Sequence, residues 1–164
     1  MKFLNEKSTS GLDFEDRKFA EAFEAVQQLD NELACFLWNR RGISYSRFWE
    51  IALAGLKKGV QWTDVAGMDH SDGVEVKTAT TVKNGGTFAQ ATIGKMTNKT
   101  GALKMVIYHH VYKEFMYYYV PKERVHENVN KSTKMSMTFP QAGKNTNSWH
   151  QQYRVATLKE LASK

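Results

Sequence analysis

The sequence predicts a single α+β domain, and three observations carry that prediction. Apolar residues recur at helical spacing in the N-terminal third, strand-like alternation takes over after Val60, and 164 residues suit one core. The helical part is expected over 13–58, followed by a β-hairpin over 60–82 and further strands beyond it. With 41% hydrophobic and 24% charged residues, the chain has the balance of a folded protein rather than a disordered one.

Residues 13–39 read as one helix, with Phe14, Phe19, Phe23, Val26 and Leu33 on its apolar stripe. Asp13 can cap its start, Glu15 and Asp16 suit the positive end of the dipole, and Arg40-Arg41-Gly42 closes it. A second helix fits 47–58, with Ser44 or Ser46 as cap and Lys57-Lys58-Gly59 as its end. Residues 60–66 alternate and are rich in strand formers. Asp69-His70-Ser71-Asp72 has the residue types of a metal cluster, but with Gly73 it reads as a turn, because Asp, Ser and Gly satisfy turn backbones locally, and 74–82 reads as the returning strand. Asn84-Gly85-Gly86 is the next turn, and 87–93 a third strand. Residues 94–102 show no clear period and are expected to be a loop or a short helix. Two more strands, 104–112 and 115–120, flank a Lys113-Glu114 turn, and Pro121 opens a short helix through Val125. The polar segment 127–150 contains the alternation Met135, Met137, Phe139, and a strand over 152–157 with a short helix ends the chain.

The net charge of +6 and isoelectric point near 9.3 favour polyanionic partners. The single cysteine, Cys35, excludes an internal disulfide framework and a multi-cysteine zinc site. Its neighbours Leu33, Ala34, Phe36 and Leu37 mark it as a structural thiol. No apolar run approaches a membrane span, and nothing at the N-terminus resembles a signal peptide. A soluble, intracellular, cytoplasmic protein without a membrane partner is expected.

One group of residues carries chemistry. With the hairpin turn at 69–72, residue 64 pairs with 77 and 66 with 75, so Asp64, Glu75 and Lys77 project from one face. Opposed residues lie roughly 4.5–5.5 Å apart at Cβ, close enough for two carboxylates to share one hard cation. Asp64 and Glu75 would hold magnesium, with the Val76 carbonyl as a further ligand and Lys77 orienting a water beside a phosphate. A structure that sets Asp64 and Glu75 apart, or on opposite sides, would sink the nuclease reading of this site. Asp69 is the substitute metal ligand if a longer loop or a bulge shifts the register.

Asp64 and, eleven positions later, Glu75-Val76-Lys77 within an apolar strand resemble the signature of the PD-(D/E)xK nuclease superfamily. That family often carries a glutamate on the preceding helix, and Glu50 stands in Arg47-Phe48-Trp49-Glu50-Ile51-Ala52-Leu53. The resemblance covers roughly 44–125 and is to the branch of small restriction enzymes, homing endonucleases and junction resolvases. Thr63 stands where the motif has proline. The resemblance implies a restriction-endonuclease-like core, a mixed central β-sheet flanked by helices. It also implies Mg²⁺ as cofactor (Mn²⁺ able to substitute), double-stranded DNA as substrate and site-specific cutting of the homing or restriction kind, a phage source being compatible. One active site per small chain cuts two strands most simply as a homodimer.

Other features have plainer readings. Asp16-Arg17-Lys18 lacks an upstream strand aspartate and reads as solvated helix surface. His109 and His110 are adjacent in a strand and so should face opposite ways. Tyr117-Tyr118-Tyr119 reads as half-buried strand. Lys83, Gln90, Lys95, Asn98 and Lys99 follow the candidate catalytic strands directly and are candidate DNA contacts, as are Lys131, Lys134 and Lys144. The alternatives are a Holliday-junction resolvase, or a basic DNA-binding protein without catalysis in which Glu75 and Lys77 pair only with each other.

Overall fold

The N-terminal apolar pattern forms two helices where the spacing predicts one. In the computed structural model, which describes residues 14–40, 43–83, 89–139 and 148–164, α1 spans Phe14–Leu29 and α2 spans Asn31–Trp38. Asp30 divides them. Its backbone is extended (φ −153°, ψ 96°) and its Oδ1 accepts from the Leu33 N–H at 2.9 Å, which makes it a helix cap and not helix interior. α3 spans Tyr45–Gly55 and starts at Ser44, whose Oγ accepts from the Arg47 N–H. The expected signals at Asp13, Arg41, Gly42 and 84–86, and the candidate Lys144, lie outside the described residues.

After α3 come β1 (Trp62–Val65), β2 (Met68–His70), β3 (Glu75–Thr80), β4 (Val82–Lys83), β5 (Ala89–Ile93), β6 (Leu103–His109) and β7 (Glu114–Val120). α4 (Lys122–Val129), β8 (Met135–Phe139), a 3-10 turn (Trp149–Tyr153), β9 (Arg154–Val155) and α5 (Leu158–Ser163) complete the chain. The fold is α+β. A mixed sheet in the order β3-β6-β7-β9, with β3 parallel to β6 and the other pairs antiparallel, has helices around it. A second sheet, β4-β5-β8, is antiparallel throughout.

Two apolar clusters explain the sequence patterns. One joins Phe23, Leu37, Phe48, Trp49 and Leu53 of the first three helices to Val76, Val106 and Leu161. The other joins Ile93, Met135, Met137 and Phe139 of the second sheet to Met105, Ile107, Tyr118 and Val125. β6 is covered on both faces, and all seven of its residues are buried, which is why it reads as a continuous run. β7 divides its side chains between the clusters, Phe115, Tyr117 and Tyr119 to the helices and Met116, Tyr118 and Val120 to the second sheet. Among the described residues no helix is long and apolar enough to cross a membrane.

Two surface expectations are corrected. Lys18 is only 6% exposed, its Nζ donating to Thr80 Oγ1 at 3.2 Å and lying 4.2 Å from the Tyr45 ring centroid. The long stem crosses apolar surface to reach both partners. His109 and His110 do not diverge, because β6 ends at His109. Their rings stack at 5.7 Å, with His109 fully buried against Tyr112 and 6.1 Å from Phe139.

Candidate active site

The expected pairing of 64 with 77 does not occur. β1 pairs with β2, Trp62 opposite His70 and Val65 opposite Met68, so the chain reverses at Ala66-Gly67. Gly67 has φ 79°, and a Cβ there would come within 2.9 Å of the Lys99 backbone, so only glycine fits the reversal. Glu75 and Lys77 pair with Leu103 and Met105 of β6 instead. Asp64 stays on the outer hairpin with its side chain 83% exposed, 3.8 Å from the Arg47 guanidinium.

Asp69, not Asp64, stands beside Glu75. β3 is the edge of its sheet, which leaves backbone groups open on one side. The Asp69 Oδ2 accepts from the Val76 N–H at 2.8 Å on that side. A strand residue sends its N–H and C=O the same way, so the Val76 carbonyl is directed to this edge too. Lys77 Nζ lies 3.2 Å from Glu75 Oε1, both side chains largely shielded from solvent. Glu50 comes in from α3. Its Oε2 accepts from Trp62 Nε1 at 3.3 Å, and its carbonyl is 2.7 Å from Nε2 of the buried His70, the neighbour of Asp69.

The electrostatics follow from this crowding. Burial, and then the Asp69 carboxylate, push the Glu75 carboxyl above the usual range, with Lys77 pulling it partly back. Burial, followed again by Asp69, raises Glu50, with Trp62 and Arg47 opposing. Asp69 lies within hydrogen-bonding reach of Glu75 when one of the two carries a proton. When both are ionised no such bond exists, and Glu75 Oε2 is then a buried acceptor with no donor among the described residues. Lys77 offsets one of the three negative charges.

Glu50 and Glu75 line a cleft of about 400 Å³, walled also by Ser46, Lys77, Thr78 and Lys95 among others. Ser46 and Thr78 hydroxyls meet at 3.1 Å along its side. Among the described residues, no three His, Cys, Asp or Glu side chains converge as a ready metal cage. The acids form an open set instead. A hard cation of the magnesium type takes one or two protein carboxylates and fills its other positions with water and substrate oxygens. The orphaned Glu75 Oε2 beside Asp69 suits that demand.

Of the candidate DNA contacts, Lys95 lines the cleft, Gln90 is half-buried in β5, and Lys83, Asn98, Lys99, Lys131 and Lys134 are exposed. Trp62 was not singled out in the sequence, His70 only within the Asp69–Asp72 segment, and Ser46 only as a helix cap. The signal for the first two was the position of Glu50, since strands following that helix must supply its partners. Comparison of the chain with protein-family models, with curated proteins and with solved structures returns no match, and the functional reading stands on the geometry of this site.

Proposed function

We propose that the chain is a metal-dependent endonuclease that hydrolyses phosphodiester bonds of double-stranded DNA. One observation carries the reading: Glu75 Oε2 is buried beside Asp69 with no donor among the described residues, with Glu50 adding a third carboxyl and Lys77 3.2 Å from Glu75. Asp69 and Glu75, with the Val76 carbonyl, would hold Mg²⁺ or Mn²⁺, and Asp64 takes no part. The ion supplies charge neutralisation at the phosphate and a more acidic water. Lys77 orients the attacking water and faces the charge that develops on the phosphate oxygens. Glu50, held by Trp62 and through its carbonyl by His70, keeps the acidic side of the cleft in place. The basic chain holds the DNA backbone. A symmetric homodimer would let two such sites cut both strands at a specific sequence, in the homing or restriction manner.

The test is cleavage of plasmid, genomic and branched DNA with Mg²⁺, Mn²⁺ or EDTA, beside Glu75→Ala. Discrete metal-dependent fragments lost in the variant support the reading, and a preference for four-way junctions would make the role junction resolution. The Lys77–Glu75 ion pair also suits a basic binding protein without catalysis. Salt-dependent binding that neither metal nor the substitution alters, with no cutting, would select that reading.

A further inference from the structure

The alternation of β5 breaks at one residue. Ala89, Ala91 and Ile93 face the core, with Gln90 and Thr92 between them turned away. Continued at the same period, residue 95 would enter the core and 96 would leave it. The reverse is found: Lys95 is exposed and lines the cleft, while Met96 is completely buried in the second cluster. The shift sits at Lys95 itself, whose φ is 60°, the left-handed region that side-chain-bearing residues rarely adopt. The Met96 N–H then donates to the Thr133 carbonyl at 3.2 Å, which fixes the chain beyond the reversal.

The chain has a second lysine in this conformation, and it has an ordinary cause. Lys113, φ 53°, closes the β6–β7 turn, its N–H donating to the His109 carbonyl at 2.8 Å. Hairpin loops of that kind demand a left-handed residue. Lys95 belongs to no turn. Local phase shifts of this kind re-aim a side chain beside a site, and backbone strain of this kind collects where function holds it. Glu50, Glu75 and Lys77 line the same cleft as Lys95.

We infer that Lys95 is a phosphate-binding residue, its ammonium turned into the cleft by the left-handed backbone to hold a DNA backbone phosphate next to the one that is cut. The inference rests on the endonuclease reading of the cleft. It separates the two lysines there. Lys77 acts where charge develops and governs turnover, whereas Lys95 binds ground state and transition state alike and governs affinity.

The experiment compares Lys95→Gly, Lys95→Arg and Lys113→Gly by binding to a labelled DNA duplex over a range of salt concentrations, with Ca²⁺ in place of Mg²⁺. Cleavage in Mg²⁺ and thermal melting are measured alongside. Glycine keeps the left-handed backbone, so the fold persists in both glycine variants. Lys95→Gly is expected to bind roughly tenfold more weakly, with the slope of log affinity against log salt shallower by about one unit. Its KM should rise with kcat unchanged. Lys95→Arg should retain affinity, and Lys113→Gly should match the wild type. An unchanged slope in Lys95→Gly, or an equal loss in Lys113→Gly, overturns the inference. Wild-type binding without cutting in any metal would remove the hydrolysis reading alone, with the slopes still deciding Lys95. A wild-type chain that binds no duplex would end both.

Discussion

The acidic cleft beside β3 and the histidines around Phe139 are both polar regions set into apolar layers, and burial drives them in opposite electrical directions. In the cleft, burial and mutual repulsion raise Glu50 and Glu75, yet the acids stay crowded with Lys77 as their cation. Around Phe139, His150 is fully buried 4.6 Å from that ring, and burial lowers it to about 4, so it is neutral at physiological pH. His109, 6.1 Å from Phe139, is lowered for the same reason. Nε2 of each histidine is a buried atom without a partner among the described residues. Burial pushes both toward their neutral forms. One region nevertheless crowds several acids around a single lysine, while the other holds histidines with no acid among the groups that shift them. Acids crowded together against that cost point to function, whereas histidines buried against aromatic rings point to packing.

Removing a carboxylate from the cleft has the largest expected effect. Glu75→Gln should lower cleavage by roughly 10²–10³-fold while leaving the chain folded and no less stable by thermal melting. A variant that cuts normally would place the chemistry elsewhere.

Acid acts next, on the buried histidines. His150 titrates near 4 in the folded chain against about 6.5 unfolded, so the unfolded state binds more protons between those values. Stability should therefore fall as pH drops from 6.5 to 4, by about 3 kcal/mol from His150 alone. His150→Leu should flatten that slope in urea titrations. The cleft has the opposite sign: the raised Glu50 and Glu75 make their share of stability largest in acid and lose it as pH rises through their folded values. A slope unchanged by His150→Leu would move the acid response to other groups.

Metal separates the regions in a third way. A saturating divalent ion at 100 times its dissociation constant should stabilise the wild type by about 2.7 kcal/mol, or roughly 5–10 °C in melting temperature. Glu75→Gln should lose most of that shift and His150→Leu should keep it. The smallest effect belongs to the outer hairpin. Asp64 is largely exposed against Arg47, and Asp64→Asn should change stability by less than about 1 kcal/mol in chemical denaturation.

Much of this was legible in the sequence because it is local. The triplet Glu75-Val76-Lys77 alternates within its strand, Glu50 sits on a periodic helix, and both readings depend only on neighbours along the chain. Pairing partners were harder. Alternation says which residues share a face but not where a strand turns back, and the turn-rich Asp69–Asp72 concealed the tighter reversal at Ala66-Gly67. Gly67 was the signal for it. Moving the turn carried Asp64 outward and brought the substitute ligand, Asp69, against Val76. Asp30 was missed for a related reason: a helical period survives a one-residue break, and only the cap reveals it. Lys95 was legible as a cation near the strands, but its inverted phase belongs to the backbone alone.

The most direct test of the account compares Asp69→Asn with Asp64→Asn in DNA cleavage with Mg²⁺, since the two aspartates lie on adjoining strands of one hairpin. The account predicts that Asp69→Asn loses roughly 10²–10³-fold in cleavage and that Asp64→Asn cuts like the wild type. Full activity in Asp69→Asn, or the loss falling on Asp64→Asn, would contradict it.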